Sequence, residues 1–149
     1  MKLRIELTDG TFEDEVVIRC GRIDDNVQKL QEFIYGLSSP SMTFFNDTQE
    51  IFLPLEEILF FETDGEQVYA HTTTEAFKVK RRLYELEEVL PRYFTRVSKG
   101  AIVNTKHIYA INRNITSSSK ISFLKTHKNI YVSRHYYKSL RDKMTERNI

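Results

Sequence analysis

Phe94-Thr95-Arg96-Val97-Ser98-Lys99-Gly100-Ala101-Ile102-Val103-Asn104 is the stretch on which the reading of this chain turns. Residues 94–98 read as a short strand, and Lys99 leaves its end into a turn at Gly100. A second stretch repeats the arrangement. Residues 129–132 of Asn129-Ile130-Tyr131-Val132 read as a strand, Ser133 is placed to cap a helix over about residues 134–147, and Arg134 follows it. The apolar stripe of that helix is Tyr137, Leu140 and Met144, with Tyr136 alongside.

Outward from these two stretches the pattern stays rich in strands. Residues 42–45 and 50–53 form an expected hairpin around Asn46-Asp47. Strands are expected at 57–63 and 67–72, on either side of Asp64-Gly65, and at 75–80. The period then changes: Leu83, Leu86, Val89 and Leu90 share one face of a helix over about 80–90, which Pro91 ends. Further strands are expected near 107–112 and 120–126, separated by a polar loop from Arg113 to Ser119. Toward the N-terminus, residues 2–7 and 15–20 alternate like two strands joined through Asp9-Gly10. Asp24 or Asp25 then caps a helix over 25–37 whose apolar positions are Val27, Leu30, Phe33, Ile34 and Leu37. Ser38-Ser39-Pro40-Ser41 is the best boundary in the chain. The expected architecture is therefore mostly β with few helices: a small acidic β-β-α piece over residues 1–40, and a larger body over 41–149.

Composition narrows the function classes. With 40% hydrophobic and 29% charged residues the chain can bury a core. No apolar run approaches the ~20 residues of a membrane helix, and the lone Cys20 is expected to be a small buried hydrophobe. A cytoplasmic protein fits these features. Phosphate-cradling glycine loops and nucleophile elbows are absent, and His71, His107, His127 and His135 are scattered, so no enzyme, metal or cofactor is expected. The net charge of +1 hides a gradient. Residues 1–56 hold 5 Lys and Arg against 11 Asp and Glu, whereas residues 91–149 hold 13 against 2. That imbalance points the basic half toward a polyanion. Lys99 and Arg134, projecting from strand ends, suit base-edge reading, and Ser98 and Ser133 suit phosphate contacts. The aromatics Tyr69, Tyr109, Tyr131 and Tyr136 read as core or interface residues and do not choose between DNA and RNA.

A resemblance supplies that choice. Pro54-Leu55-Glu56-Glu57-Ile58-Leu59-Phe60-Phe61-Glu62-Thr63-Asp64-Gly65, then Leu83-Tyr84-Glu85-Leu86-Glu87, the stretch 94–104 and Val132-Ser133-Arg134-His135-Tyr136 follow one another as in the LytTR DNA-binding domain of bacterial response regulators. From about Phe52 to Met144 the chain resembles that family. The resemblance implies an elongated antiparallel β fold that reads the major groove of duplex DNA through loops and strand ends instead of a recognition helix. By position it implies base reading by Lys99, Arg134 and Gln67, the last in the loop from Asp64. Arg96, Ser98, Asn104, Lys106, Ser133 and His135 would contact or support the phosphates. Gly100 stands where the family more usually has Ser, and Asp64 and Glu66 make the neighbouring loop acidic. Only about 40 residues precede the module, too few for a receiver, so a stand-alone transcription regulator is the closer comparison. A homodimer on spaced DNA repeats, and control by a small membrane protein, are the partners implied. The rivals are an RNA-binding β domain and an interaction module that meets acidic protein or lipid.

Overall fold

The computed structural model describes residues 2–10, 15–38 and 40–147. The chain divides into two units, Met1–Ser38 and Ser39–Ile149. In the first, helix α1 spans Asp25–Ser38. Asp24 is its cap: the side-chain Oδ1 accepts the Val27 N–H at 2.9 Å and the carbonyl accepts the Gln28 N–H at 2.9 Å.

The two N-terminal strands expected from the sequence do not form. Residues 2–7 and 15–20 lie in no ladder, and residues 11–14, which would connect them, lie outside the described residues. A two-stranded ribbon is marginal in water unless one face is covered. Here Leu3, Ile5, Leu7, Val16 and Val17 are all exposed, so a ladder would gain no burial. Cys20 is likewise exposed, contrary to the expectation that it is buried.

The second unit is mostly antiparallel β. A seven-stranded sheet runs in the order β2-β1-β5-β4-β3-β7-β6, and a three-stranded sheet in the order β10-β9-β8. The strands of the first are β1 (Ser41–Asn46), β2 (Gln49–Pro54), β3 (Phe60–Asp64), β4 (Gln67–His71), β5 (Ala76–Val79), β6 (Phe94–Ser98) and β7 (Ala101–Asn104). Those of the second are β8 (Ile108–Asn112), β9 (Ser119–Phe123) and β10 (Asn129–Val132). Helix α2 (Leu83–Val89) follows β5, and α3 (Arg134–Arg147) follows β10. Several expected boundaries shorten for local reasons. Leu55–Glu57 closes a 3-10 turn, so β3 begins only at Phe60. Lys125 takes a left-handed φ of 61°, which ends the β9 region in a turn.

Both faces of the large sheet are covered around β3, β7 and β6. Phe61, Ala70, Phe77, Ile102 and Phe94 pack on one face with Leu83 and Leu86 of α2. Phe60, Val97, Ala101 and Val103 pack on the other with Ile121, Phe123, Ile130 and Val132 of the small sheet and Leu140 of α3. Strand β7 lies where both cores meet, and all four of its residues are buried. A strand covered on both faces has no polar alternation. The sequence pattern accordingly does not separate β7 from its surroundings.

Candidate nucleic-acid interface

The ladder directions bring distant loops to one end of the second unit. Strand β3 pairs antiparallel with β7, Glu62 opposite Ala101 and Phe60 opposite Val103, so the Asp64–Glu66 turn and the Lys99-Gly100 turn emerge side by side. The Thr63 N–H donates to the Gly100 carbonyl at 2.9 Å and locks the two turns together. In the small sheet Val132 pairs with Ser119 and Asn112 with Lys120, so Ser133 and the loop 113–118 share an end. One backbone hydrogen bond joins the two groups: Ser133 N–H to the Val97 carbonyl, 2.8 Å. Lys99, Arg134, Gln67 and the loop 113–118 thus collect at one end, and the side chains of Lys99, Arg134, Gln67, Arg113 and His135 are exposed there.

Arg96 has a different place from an exposed phosphate ligand. Its guanidinium lies 2.7 Å from Glu87 Oε2 of α2, and its Nε donates to the Ser98 carbonyl at 2.7 Å. Nη2 donates to the Lys99 carbonyl. Two of its donors therefore fix the backbone from which Lys99 projects, the third anchors the guanidinium to α2, and the side chain is only 17% exposed. The Ser98 hydroxyl accepts the Gly100 N–H at 3.2 Å and completes the same turn.

Arg134 opens α3. Its Nη1 donates to the Thr116 carbonyl at 3.3 Å, which uses one of five N–H donors and leaves the other edge of the fork free. His135 beside it meets Tyr136 edge-on, ring centroids 5.0 Å apart.

Two residues grouped with these by sequence lie elsewhere. Asn104 is fully buried, so it cannot touch a phosphate. Its Nδ2 donates to the Ile58 carbonyl at 2.9 Å and its Oδ1 accepts the Lys106 N–H at 3.0 Å. Asn104→Ala should cost about 1–2 kcal/mol by leaving that carbonyl unpaired, read as a lower urea midpoint with an unchanged slope. Lys106 sits at the opposite end of β7 from Lys99, on the order of 15 Å away at ~3.3 Å per residue. There it pairs with Glu56 at 3.0 Å and lies over the Tyr93 ring at 4.2 Å.

Gly100 has a steric reason. A Cβ built there would meet Thr63 Oγ1 at 2.9 Å, too close for any side chain unless Thr63 turns away. Gly100→Ser should therefore destabilise by about 1 kcal/mol, the cost of an off-rotamer side chain. Thr63→Ala should remove that penalty in the double variant, a coupling that a thermal-melt double-mutant cycle measures directly.

At the far end a half-buried charge cluster ties the sheets. His71 stacks on Phe60, centroids 4.4 Å apart, with Nε2 2.9 Å from Glu62 Oε1 and Nδ1 3.4 Å from Lys128 Nζ. Lys128 also donates to the Glu75 carbonyl at 2.6 Å, and Thr126 Oγ1 to the Thr73 carbonyl at 2.9 Å. Burial lowers the Lys128 pKa, while burial and then Asp64 raise that of Glu62.

The model of the LytTr DNA-binding domain matches residues 49–145. The chain belongs to the LytTR DNA-binding family. An uncharacterized HTH-type transcriptional regulator of Staphylococcus aureus strain NCTC 8325 / PS 47 is 30% identical over 146 residues, 97% of this chain and 99% of the relative. The corresponding regulator of strain MRSA252 is 28% identical over the same shares. Among solved structures, the LytTr DNA-binding domain of a Bacillus cereus response regulator superposes with a TM-score of 0.64 at 25% identity, over 68% of this chain and 94% of that one. This LytTR protein is thus a DNA-binding transcription regulator, as the resemblance implied. In the LytTR unit, strands β6 to β10 separate α2 from α3, so these helices do not form a helix-turn-helix pair. No described helix is long and apolar enough to cross a membrane.

Proposed function

We propose that the protein reads duplex DNA in the major groove with the end of the LytTR unit where Lys99, Gln67 and Arg134 converge. The observation that carries this reading is the Ser133–Val97 hydrogen bond, which sets Arg134 beside the Lys99 turn. Arg134 offers a guanidinium fork matched to the O6 and N7 of guanine, and Lys99 offers a mobile cation to the same acceptors. Ser98, Ser133 and His135 flank them as phosphate contacts. Arg96 acts through the Lys99 turn, and Asn104 through the core beneath it. Lys106, at the other end and paired, has no part in the groove.

Selection of bound fragments from a random duplex pool tests the reading. The expected result is one enriched motif whose affinity falls steeply with salt. Equal affinity for single-stranded RNA, or no enriched motif, would instead favour the RNA-binding or protein-interaction alternatives.

The second part of the reading concerns residues 1–38. Exposed Leu3, Ile5, Leu7, Phe33 and Leu37 give this unit an uncovered apolar surface, which we assign to pairing with a second copy on spaced DNA repeats. Sedimentation of the full chain should show a dimer that Phe33→Asp weakens. A monomer that instead captures a small membrane protein would give this unit a regulatory partner in place of a second copy.

A further inference from the structure

Arg134 does not stand alone at its end of the domain. The loop between β8 and β9 lies against it and is fixed at three points. At its start the Arg113 guanidinium lies over the Tyr137 ring of α3, 4.9 Å from the centroid. Across its base the Asn114 N–H donates to Ser119 Oγ at 2.9 Å, and Ser119 is buried. At its tip the Asn114 Oδ1 accepts both the Thr116 N–H at 3.1 Å and the Thr116 hydroxyl at 3.0 Å. That bond set turns the Thr116 carbonyl onto Arg134 Nη1. Between Asn114 and Thr116 sits Ile115, 80% exposed, a branched apolar side chain in an otherwise polar loop.

A single exposed isoleucine ordinarily calls for no explanation. This one is held on a hydrogen-bonded loop, and the next residue touches the guanidinium assigned to guanine. From these contacts we infer that Ile115 packs on the C5 methyl of a thymine next to the base read by Arg134. The inference rests on the proposed DNA-reading end and extends it to a second residue of different chemistry. Thymine presents the only methyl group among the four bases in the major groove, and an apolar side chain is what recognises it. Neighbouring Cα atoms lie ~3.8 Å apart and stacked bases ~3.4 Å apart, so a residue one position from the Arg134 contact reaches about one or two base steps. Ordering by Asn114 and Arg113 lowers the entropy lost when the loop meets DNA.

Single replacement of each thymine by deoxyuridine in a selected duplex removes the methyl group and nothing else. The wild-type protein should lose about three- to fivefold in affinity at one position, the effect of one methyl group taken out of water. That position should lie beside the guanine at which Arg134→Ala loses discrimination. Ile115→Ala should bind the thymine and deoxyuridine duplexes alike, with an unchanged melting temperature, and Ile115→Val should keep most of the difference. Indifference of the wild type to every such replacement, with Arg134→Ala still losing base preference, overturns the role of Ile115 alone. The same holds if Ile115→Ala keeps the difference. If Arg134→Ala leaves both affinity and preference unchanged, the DNA-reading end is itself misassigned and the inference falls with it.

Discussion

Arg134→Ala should abolish discrimination at one base pair and cost about 1–3 kcal/mol on the selected site, roughly 5- to 150-fold. The same variant should bind random duplex only slightly more weakly, since one phosphate-region cation is a small part of the non-specific attraction. The asymmetry follows from how the side chain is held. The Thr116 carbonyl engages one Nη1 hydrogen of an exposed guanidinium on the first turn of α3. A fork that is already oriented loses little rotamer freedom when it meets two acceptors on one base. Arg134→Lys should recover charge without the fork, and so restore non-specific binding but not base choice. Competition binding between the selected site and its single-base variants reads all three quantities. Equal weakening on specific and random DNA would mean that Arg134 only neutralises phosphate.

Acid should weaken the fold through His71. Its imidazole is lowered from 6.5 to about 4, first by burial and then by the Lys128 cation. The 2.9 Å contact with Glu62 alone would favour the charged ring. Lys128, however, can only donate, so Nδ1 must keep its lone pair and the ring stays neutral while Nε2–H donates to Glu62. The unfolded chain takes up this proton near pH 6.5, the folded chain only near pH 4. Stability from this group is therefore complete above pH 6.5 and drains away as pH falls toward 4, by about 2 kcal/mol after allowance for partial exposure. Glu62 has the opposite sign, since its raised pKa lets the folded state bind a proton above 4.5, and it offsets part of the loss. Urea midpoints at pH 7.5 and pH 4.5 should differ in the wild type and much less in His71→Gln. An equal acid sensitivity in both proteins would remove His71 from the account.

How much of this was legible beforehand depended on whether a residue's role is local. Lys99 directly follows a strand and Arg134 follows another after the single residue Ser133, and such a strand end is readable from a few residues. Helix α3 emerges over Arg134–Arg147, as the Tyr137, Leu140 and Met144 stripe indicates. Strand β7 was not legible because Ala101, Ile102 and Val103 face two cores at once. The parts of Arg96, Asn104 and Lys106 were hidden for another reason. Asn104 and Lys106 depend on partners far along the chain, Ile58 and Glu56, while Arg96 turns back on its own strand end and on Glu87 of the preceding helix, a fold-back that no sequence pattern marks. Residues 2–7 misled in the reverse direction: their alternation is real, but alternation makes a strand only where a neighbour supplies the ladder. Ile115 stands in a loop of otherwise polar residues, and only the bonds of Asn114 and Arg134 set it apart.

The most direct test of the central claim is amide hydrogen exchange of the full chain, free and saturated with a selected duplex. Added protection is expected at residues 97–100, 113–118 and 133–138, with none at the opposite end, residues 72–75, 105–107 and 125–128. Protection confined to that opposite end, or absent from both, would contradict it.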